Sequence, residues 1–479
     1  MFEKVFKLKS NGTTVRTELM AGLTTFMTMA YIIALNPNLL TNFGAEGTEL
    51  WNGVFMATCI ASAVGMFCMA FFANKPFALA PGMGLNSFFA VVVGNIVTMT
   101  GMTYVESFQS ALIIILAEGI VFIVLSLFNV REKIVESIPL GIRLGISPAI
   151  GLMLMNIGLG SNVSIYAAGN NFETPFFVMR DFFGALTPSV LQTAMGEAGY
   201  ATMILSTITM FVGLFVIIAM DKKGVKGAVL VGMLVASVVY WAGSFLFLNT
   251  NPFESLATAS FLPPVKDMVE TTLFKFNFAG FMEIGWFTII TLIITFCIID
   301  MFDTIGTLVG TASRAGMVDE EGNMPNMKEA LLSDAIGTVA GACTGTSTVT
   351  TFVESASGVE AGGRTGLTAL ATGVLFLACI FIAPIAAIIP AAATSSALIY
   401  VGVLMLQGLS KVDFKDMDQM VPVFLMLLAM PVSGSIGHGI GLGLIAYTII
   451  KIFIGKFKEV SILTYVISAL FIVKFFLVV

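Results

Sequence analysis

Charged residues are scarce in this sequence of 479 residues. They make up 11% of the chain, whereas hydrophobic residues make up 57%. Soluble proteins carry about 25% charged residues, so a water-soluble fold could not bury this much apolar surface. The sequence also has no basic tract, and its formal net charge of −6 excludes nucleic acid as a partner. The chain therefore has lipid as its solvent, and every charge inside an apolar segment needs a physical reason.

Histidine and cysteine are also sparse. His438 is the single histidine, and the five cysteines lie in or beside apolar runs without a metal-binding spacing. These counts argue against a histidine-based metal site or catalytic triad. We expect the cysteines to be small buried hydrophobic residues. The sequence thus predicts no metal, no cofactor and no enzymatic activity.

Long apolar runs, in contrast, recur along the whole chain. One helix and loop for every ~30–35 residues predicts about 14 membrane spans. The runs lie at about 17–36, 52–73, 77–94, 104–129, 134–159, 201–220, 226–248, 286–311, 329–344, 347–361, 366–388, 393–410, 419–432, 435–453 and 459–478. The run 419–432 is short for crossing the hydrocarbon core of a membrane, and the run 459–478 would be a fifteenth span.

The distribution of lysine and arginine predicts the orientation. Most of the 23 basic residues fall on one side if the N-terminus is cytoplasmic. Arg180, Lys266 and Lys275 fall on the other side, in two long outer loops at about 160–200 and 249–284, and four basic residues near the C-terminus stay unassigned. This bias predicts a multi-pass protein of the cell membrane with a cytoplasmic N-terminus.

The two halves of the chain resemble each other. Three pairs of segments match in the same order: 61–65 with 333–337, 146–159 with 394–409, and 227–241 with 438–450. Seven spans in each half would insert the second half upside down relative to the first. Such a 7+7 inverted repeat is typical of alternating-access transporters whose site lies near the bilayer midplane.

The third span is interrupted within KPFALAPGMGLNSFFAVVVG (75–94). Pro81, Gly82 and Gly84 disfavour a continuous helix. We therefore predict extended backbone at 77–80 and a half-helix that begins near Asn86.

The tenth span is interrupted at the corresponding place in the second half. Its threonine and valine run, 346–351, favours extended backbone. Thr351 and Glu354 have the spacing of a capping box that would begin a second half-helix. Two half-helix N-termini would then point into the protein at mid-depth with unpaired N–H groups. The alternative is a pair of merely kinked spans.

Acidic residues in apolar segments form a candidate site. Asp300 and Asp303 lie on one face of the eighth span, and Thr304 and Thr307 continue this face. A carboxylate at the bilayer centre costs about 2.5–3.5 kcal/mol, so a substrate, ion or proton site is the default interpretation. Glu354 adds a third acid at the same expected depth. The alternative is a pair of acids in a cytoplasmic vestibule or in structural hydrogen bonds.

Two further acids, Glu118 and Asp334, are weaker candidates, for which a structural or loop-facing role is equally compatible with the sequence. Arg364 follows two glycines, and we interpret it as a cytoplasmic anchor.

Several carboxylates and half-helix ends suit a neutral polar ligand that carries both hydrogen-bond donors and acceptors. A carboxylate accepts two parallel N–H bonds well, and the N1–H and 2-amino edge of guanine offers such a pair. Four phenylalanines at the breaks could cover a flat ring: Phe77, Phe88, Phe89 and Phe352. These residues alone favour a transporter of a small polar solute and do not single out a purine.

Four strings resemble a known family when taken together and in order. They are AGLTTFMTMAYIIALNP (21–37), APGMGLNSFFA (80–90), DMFDTIGTLVG (300–310) and TFVESASGVEAGGRTGLTA (351–369). The chain resembles the nucleobase–cation symporter-2 superfamily, and within it the AzgA-like branch of adenine, guanine and hypoxanthine permeases. In one respect it departs from the broader superfamily: Glu354 is followed by Ser-Ala-Ser-Gly and not by Asn-x-Gly. The xanthine and uracil branches therefore fit less well.

This resemblance implies an all-α polytopic membrane protein with 14 spans in a 7+7 inverted repeat. Spans 3 and 10 would each contain a short strand and a half-helix. The core domain would comprise residues 15–130 (spans 1–4) and 285–389 (spans 8–11). The gate domain would comprise residues 131–250 (spans 5–7) and 390–479 (spans 12–14 and the C-terminal run).

The resemblance also implies the roles of single residues. Asn86, Asp300 and Glu354 match substrate-binding positions, and Gly84 and Asp303 match positions important for transport. Of the two aspartates, we favour Asp300 as the direct ligand contact. Two residues at the tenth-span break, Thr351 and Phe352, complete the expected substrate contacts together with Gly84. The expected proton-coupling groups are Asp300, Asp303, Thr304 and Glu354.

These observations predict a secondary active permease that imports hypoxanthine, guanine or adenine. We expect H⁺ as the coupling ion, with Na⁺ as the alternative, and a core that moves as a rigid body against the gate. The expected partners are the purine nucleobase, membrane lipid and a second copy of the chain in a homodimer. The rival hypotheses are a transporter of another polar solute or anion on the same fold, a xanthine or uracil permease, a channel, and a membrane-embedded enzyme with an aspartyl dyad.

Overall fold

The computed structural model describes most of the chain. The described residues are 2–42, 46–128, 139–160, 166–168, 180–182, 188–257, 259–314, 317, 324–433 and 436–477. They form α-helices with a few very short strands, which confirms the predicted all-α polytopic class.

The first half of the chain contains most of one repeat. Its elements are α1 (Phe2–Phe6), α2 (Val15–Met29), α3 (Ile32–Leu40), α4 (Thr48–Cys68), β1 (Leu79–Pro81), α5 (Met83–Thr100), α6 (Tyr104–Leu127), α7 (Leu140–Leu159), β2 (Tyr166–Ala168), β3 (Arg180–Phe182), α8 (Pro188–Lys222) and α9 (Ala228–Gly243).

The second half follows a similar order after three short helices. Its elements are α10 (Glu254–Ala257), α11 (Val265–Thr271), α12 (Phe278–Glu283), α13 (Trp286–Arg314), α14 (Met327–Thr344), β4 (Val349–Thr351), α15 (Ser355–Glu360), α16 (Gly366–Ala378), α17 (Ala383–Ala387), α18 (Ala391–Met405), α19 (Met417–Ser433), α20 (Ile436–Phe453) and α21 (Ile462–Leu477).

Within the described residues, 11 helical segments are long and apolar enough to cross a membrane. Two shorter apolar helices, Met417–Ser433 and Ile462–Val473, correspond to the short run and the extra run noted in the sequence. The protein is therefore a multi-pass membrane protein, but the predicted count of 14 spans is not confirmed.

The two outer loops contain more helix than the sequence suggested. The helix expected to begin at residue 201 begins at Pro188 and bends at Gly196, where φ is +75°. In the second loop, the side chain of Asn277 accepts a hydrogen bond from the Gly280 N–H and caps α12. Both helix starts lie within the outer loops expected from the sequence, and proline and asparagine are residues that favour helix N-termini. In the first loop, β2 pairs with β3, and residues 161–165, 169–179 and 183–187 lie outside the described residues.

Glycines that occupy matching places in the two halves also meet in space. Gly65 of α4 and Gly337 of α14 lie where these helices cross, because a Cβ on Gly337 would be 3.4 Å from the Gly65 Cα. Gly151 of α7 and Gly402 of α18 form a second close crossing. The segments that carry these glycines, 61–65 with 333–337 and 146–159 with 394–409, are those matched in the sequence. The internal repeat is therefore real and places equivalent helices against each other.

The helices pack in two groups. In one group, α4 packs against α14 and α16, α6 against α14, and α2 against α16. In the other group, α7 packs against α18 and α19, and α8 packs against α9 and α18. The expected division of the chain into a core and a gate domain stays a prediction. The first expected boundary, at residues 130 and 131, lies outside the described residues.

Candidate functional site

The two predicted helix breaks meet as a two-stranded antiparallel sheet. The paired residues of β1 and β4 are Leu79 with Thr351, Ala80 with Thr350, and Pro81 with Val349. The pairing continues beyond the strands, since the Gly82 N–H donates to the Thr348 carbonyl at 3.0 Å and the Phe352 N–H donates to the Ala78 carbonyl at 2.9 Å. The non-helical backbone in each span is thus satisfied by the break in the other, as the interior of a membrane requires.

The first half-helix begins three residues earlier than predicted. Gly82 is the N-cap in an extended conformation, and α5 starts at Met83 rather than near Asn86. Asn86 lies within the first turn, where its N–H donates to the Gly82 carbonyl at 2.7 Å. Helix propensity placed the start after the glycines, but the pairing with the other break ends at Gly82, and the helix begins at the next residue.

The predicted capping box in the tenth span is wrong. Thr351 is paired in β4, and its hydroxyl makes no hydrogen bond to the start of α15. Glu354 takes the N-cap place of α15 in a helical conformation and makes no side-chain capping bond. The half-helix that follows spans only the six residues Ser355–Glu360. Glu354 is instead turned towards span 1, where the Tyr31 hydroxyl donates to its Oε1 at 2.7 Å.

Asp300 and Thr304 belong to a buried polar cluster. Both residues are fully buried. The Thr304 Oγ1 lies 3.0 Å from Asp300 Oδ1, 2.9 Å from Asp334 Oδ1 and 2.6 Å from Thr350 Oγ1. A hydroxyl has one proton to donate, so at least one aspartate must carry a proton if all three contacts are hydrogen bonds.

Asp303 differs from Asp300 in its exposure. Its side chain is half-buried, and a Cβ on Gly82 would lie 3.4 Å from the Asp303 Oδ2. Glu354 is also half-buried, at the end of the other break. These two carboxylates are therefore accessible beside the paired strands, whereas Asp300 is enclosed.

The remaining predicted site residues lie on or beside the breaks. Asn86 is fully buried, donates to the Pro81 carbonyl at 3.1 Å, and accepts a hydrogen bond from Ser347. Gly84 packs against Ile150 of α7, where a Cβ would lie 2.8 Å from the isoleucine Cγ2. The buried hydroxyl of Thr351 has no hydrogen-bond partner among the described residues.

The four phenylalanines near the breaks are all buried, and Phe352 is 5% exposed. Phe88 packs against Phe296 with ring centroids 4.6 Å apart, and Phe89 packs against Phe108 at 5.2 Å. Two of the four rings thus contact neighbouring helices in the core.

Sequence reasoning missed Tyr31 and undervalued Asp334. Tyr31 lies in an apolar run without a polar pattern, so it resembled a core aromatic residue. Asp334 is fully buried and is not loop-facing. The sequence contained a signal, because Asp334 and Thr338 are four residues apart and therefore share a helix face. In the structure, Thr338 on this face donates to the Val349 carbonyl of β4 at 3.0 Å.

Glu118 and Arg364 lie beside the site. Glu118 is fully buried and accepts a hydrogen bond from Thr348 at 2.7 Å. Arg364 donates to the carbonyls of Val359 at 2.6 Å and Gly363 at 2.8 Å. Arg364 thus binds carbonyl groups of its own segment, and its role as a cytoplasmic anchor stays a prediction.

Known proteins resemble this chain over nearly its whole length. Residues 16–436 match the permease family Xan_ur_permease. The chain is 38% identical over 474 residues to the adenine permease AdeP of Escherichia coli (strain K12), covering 99% of this chain and 96% of that protein. It is 37% identical over 477 residues to the guanine/hypoxanthine permease PbuO of Bacillus subtilis (strain 168), covering 99% and 100%.

Solved structures show the same fold at low sequence identity. The transmembrane domain of the cyanobacterial bicarbonate transporter BicA has a TM-score of 0.62 and 16% identity, with 88% of this chain and 97% of that chain covered. The murine anion transporter Slc26a9 has a TM-score of 0.58 and 11% identity, with 92% and 68% covered. These likenesses establish the inverted-repeat transporter fold. The chain belongs to the permease family, within the nucleobase–cation symporter-2 superfamily, and it is a multi-pass membrane transporter and not an enzyme.

Proposed function

We propose that this protein imports a purine nucleobase, namely hypoxanthine, guanine or adenine, by symport with a proton. The observation that carries the proposal is the meeting of the two breaks beside two accessible carboxylates, Asp303 and Glu354. The names of the relatives AdeP and PbuO support a purine over other small polar solutes.

The chemistry of these carboxylates suits a purine. A carboxylate accepts two parallel N–H bonds, as the N1–H and 2-amino group of guanine would donate, and hypoxanthine offers the N1–H. A protonated carboxyl group could instead donate to N1 of adenine. The buried hydroxyl of Thr351, which has no hydrogen-bond partner among the described residues, would be one further polar group at this break.

The exposure of the aspartates favours a division of roles between them. The sequence favoured Asp300 as the direct ligand contact. Because Asp303 is accessible and Asp300 is enclosed, we propose Asp303 for the purine and Asp300 for the proton. The hydrogen bonds of Thr304 to Asp300 and Asp334 support this assignment, since they require a proton on one of the two acids.

Transport would follow from sliding of the core past the gate. Gly84 of α5 and Ile150 of α7 lie in contact at this boundary, close to the site. The absence of a side chain at Gly84 lets the half-helix α5 pass close to α7. We place the protein in the cell membrane with a cytoplasmic N-terminus, and the homodimer stays a prediction.

A panel of ligands tests the binding site directly. Purified protein would be heated with hypoxanthine, guanine, adenine, xanthine, uracil or bicarbonate at two pH values. We expect a higher Tm with at least one of the first three purines and no shift with bicarbonate, because ligand binding stabilises the folded state. Stabilisation by bicarbonate alone would favour the anion-transporter hypothesis. If stabilisation by a purine required Na⁺, Na⁺ would take the place of H⁺ as the proposed coupling ion. The variant Glu354→Gln should lose the shift.

A further inference from the structure

Tyr31 lies at the junction of two helices in span 1, between the end of α2 at Met29 and the start of α3 at Ile32. Its side chain is fully buried. The phenol reaches across the core to span 10, where it donates to Glu354 Oε1 at 2.7 Å. A buried hydroxyl aimed at the half-buried acid of the site needs a physical reason, since an apolar ring would pack equally well there.

The contact is held by rigid packing on the N-terminal side of Tyr31. One turn and a half before it, Thr25 packs against Gly358 so closely that a Cβ on this glycine would lie 2.0 Å from the Thr25 Oγ1. At the start of the same helix, buried Glu18 accepts hydrogen bonds from the N–H groups of Arg364 at 2.9 Å and Thr365 at 3.2 Å. Helix α2 is therefore fixed along the segment that carries Glu354.

The hydrogen bond from Tyr31 limits how the Glu354 carboxylate can turn. A carboxylate has two oxygens with about four lone-pair sites, and Tyr31 occupies one site on Oε1. The bond restrains the half-buried carboxylate through Oε1, so that Oε2 can accept from a ligand. Since the phenol donates, Glu354 is held ready to accept further N–H groups.

We infer that Tyr31 is a positioning residue that presents Glu354 as a hydrogen-bond acceptor to the N–H groups of the transported nucleobase. This inference rests on the proposed function, because it assigns Glu354 to the ligand. Removal of the phenol hydroxyl would leave the ring packing in place and release the carboxylate to other rotamers. The loss would appear in substrate affinity and not in the rate of the conformational change.

The test compares Tyr31→Phe with Tyr104→Phe in hypoxanthine uptake by proteoliposomes. Tyr104 is a control in the same group of helices, because its hydroxyl donates to the Leu40 carbonyl at 2.8 Å and not to a carboxylate. We expect Tyr31→Phe to raise KM about tenfold with Vmax retained, the order expected for one hydrogen bond to a charged group. Tyr104→Phe should leave KM within about twofold, in the range of a neutral bond outside the site.

The outcomes separate this inference from the proposed function. An unchanged KM in Tyr31→Phe, a lower Vmax with the same KM, or an equal rise in Tyr104→Phe would overturn the role of Tyr31. If wild-type protein takes up no purine, the proposed function itself fails. If Tyr31→Phe does not fold, a purine-binding measurement in detergent on Tyr31→Leu, which is smaller and also lacks the donor, keeps the comparison, with weaker binding again expected and unchanged binding contradicting the role.

Discussion

Gly151 and Gly402 pack backbone to backbone where α7 crosses α18. A Cβ on either residue would lie 2.5 Å from the carbonyl oxygen of the other. Because the obstructing atom is backbone in both directions, no side-chain rotation can relieve the clash. We therefore expect Gly151→Val and Gly402→Val to force these helices apart and to lower the yield of monodisperse protein in detergent.

Gly94 of α5 provides the matched control for this prediction. It is a helical glycine with no heavy atom within 4 Å of an added Cβ. Gly94→Ala should leave the yield unchanged or improve it, since alanine favours a helix by about 1 kcal/mol over glycine. Equal yields from Gly151→Val and wild type would contradict the close crossing.

Gly84 tests the contact between core and gate. An alanine there would place its Cβ 2.8 Å from the Ile150 Cγ2. We expect Gly84→Ala to lower hypoxanthine uptake several-fold while ligand-induced stabilisation is kept, because the substitution removes no polar group. The double variant Gly84→Ala/Ile150→Ala should recover uptake, since it removes the obstructing methyl group. Uptake that stays low in the double variant would show that the contact with Ile150 is not the cause of the loss.

Asp300 tests the proposed proton site. Asp300→Asn keeps a polar partner for Thr304 but cannot exchange a proton, so transport should lose its dependence on a pH gradient while exchange of purine for purine remains. Glu118→Gln is the control, because Glu118 is equally buried and accepts a hydrogen bond from Thr348, which is not one of the Thr304 contacts given above. Uptake by Asp300→Asn that still follows the pH gradient would argue against Asp300 as the proton site.

An ion cluster near the C-terminus predicts a dependence of stability on pH. Lys451 Nζ lies 2.8 Å from Asp418 Oδ2 and 2.8 Å from Glu459 Oε2. The hydrogen bond from Lys451 holds the pKa of Glu459 below its usual value of 4.5. A lowered pKa in the folded state adds stability above the unfolded value and loses it as the pH falls through the folded pKa. We expect the Tm to fall on acidification below about pH 4.5.

The variant Lys451→Met should lower the Tm by a few degrees at pH 7 and reduce its acid dependence, measured by thermal unfolding in detergent. Lys266→Met is the control, because Lys266 is an exposed cation 3.9 Å from Glu270, and such pairs contribute little. A similar effect of both substitutions would show that the buried position of Lys451 is unimportant.

Local patterns in the sequence predicted the helix breaks and the acids but not their partners. Pro81, Gly82 and the threonine run before Thr351 mark the two breaks, because these residue types disfavour a helix at their own positions, whatever lies around them in the fold. The pairing of β1 with β4 joins positions about 270 residues apart, as the register Leu79 with Thr351 shows. The false start at Asn86 and the false capping box at Thr351 both followed from judging each break alone.

The same limit applies to side chains. Asp300 and Asp303 were found because a carboxylate in an apolar helix is conspicuous. Tyr31 was not, since a phenol in an apolar run has the same pattern as a core ring, and only the fold brings it to Glu354. The exposure that separates Asp303 from Asp300 likewise depends on the neighbouring span and not on their spacing.

The most direct test of the account is hypoxanthine uptake into proteoliposomes under an imposed pH gradient, acid outside. We predict that wild-type protein accumulates purine above the outside concentration, that a proton ionophore abolishes this accumulation, and that Glu354→Gln, with protein present at the same level, shows none. Absence of uptake of hypoxanthine, guanine and adenine by folded wild-type protein, or equal uptake by Glu354→Gln, would contradict it.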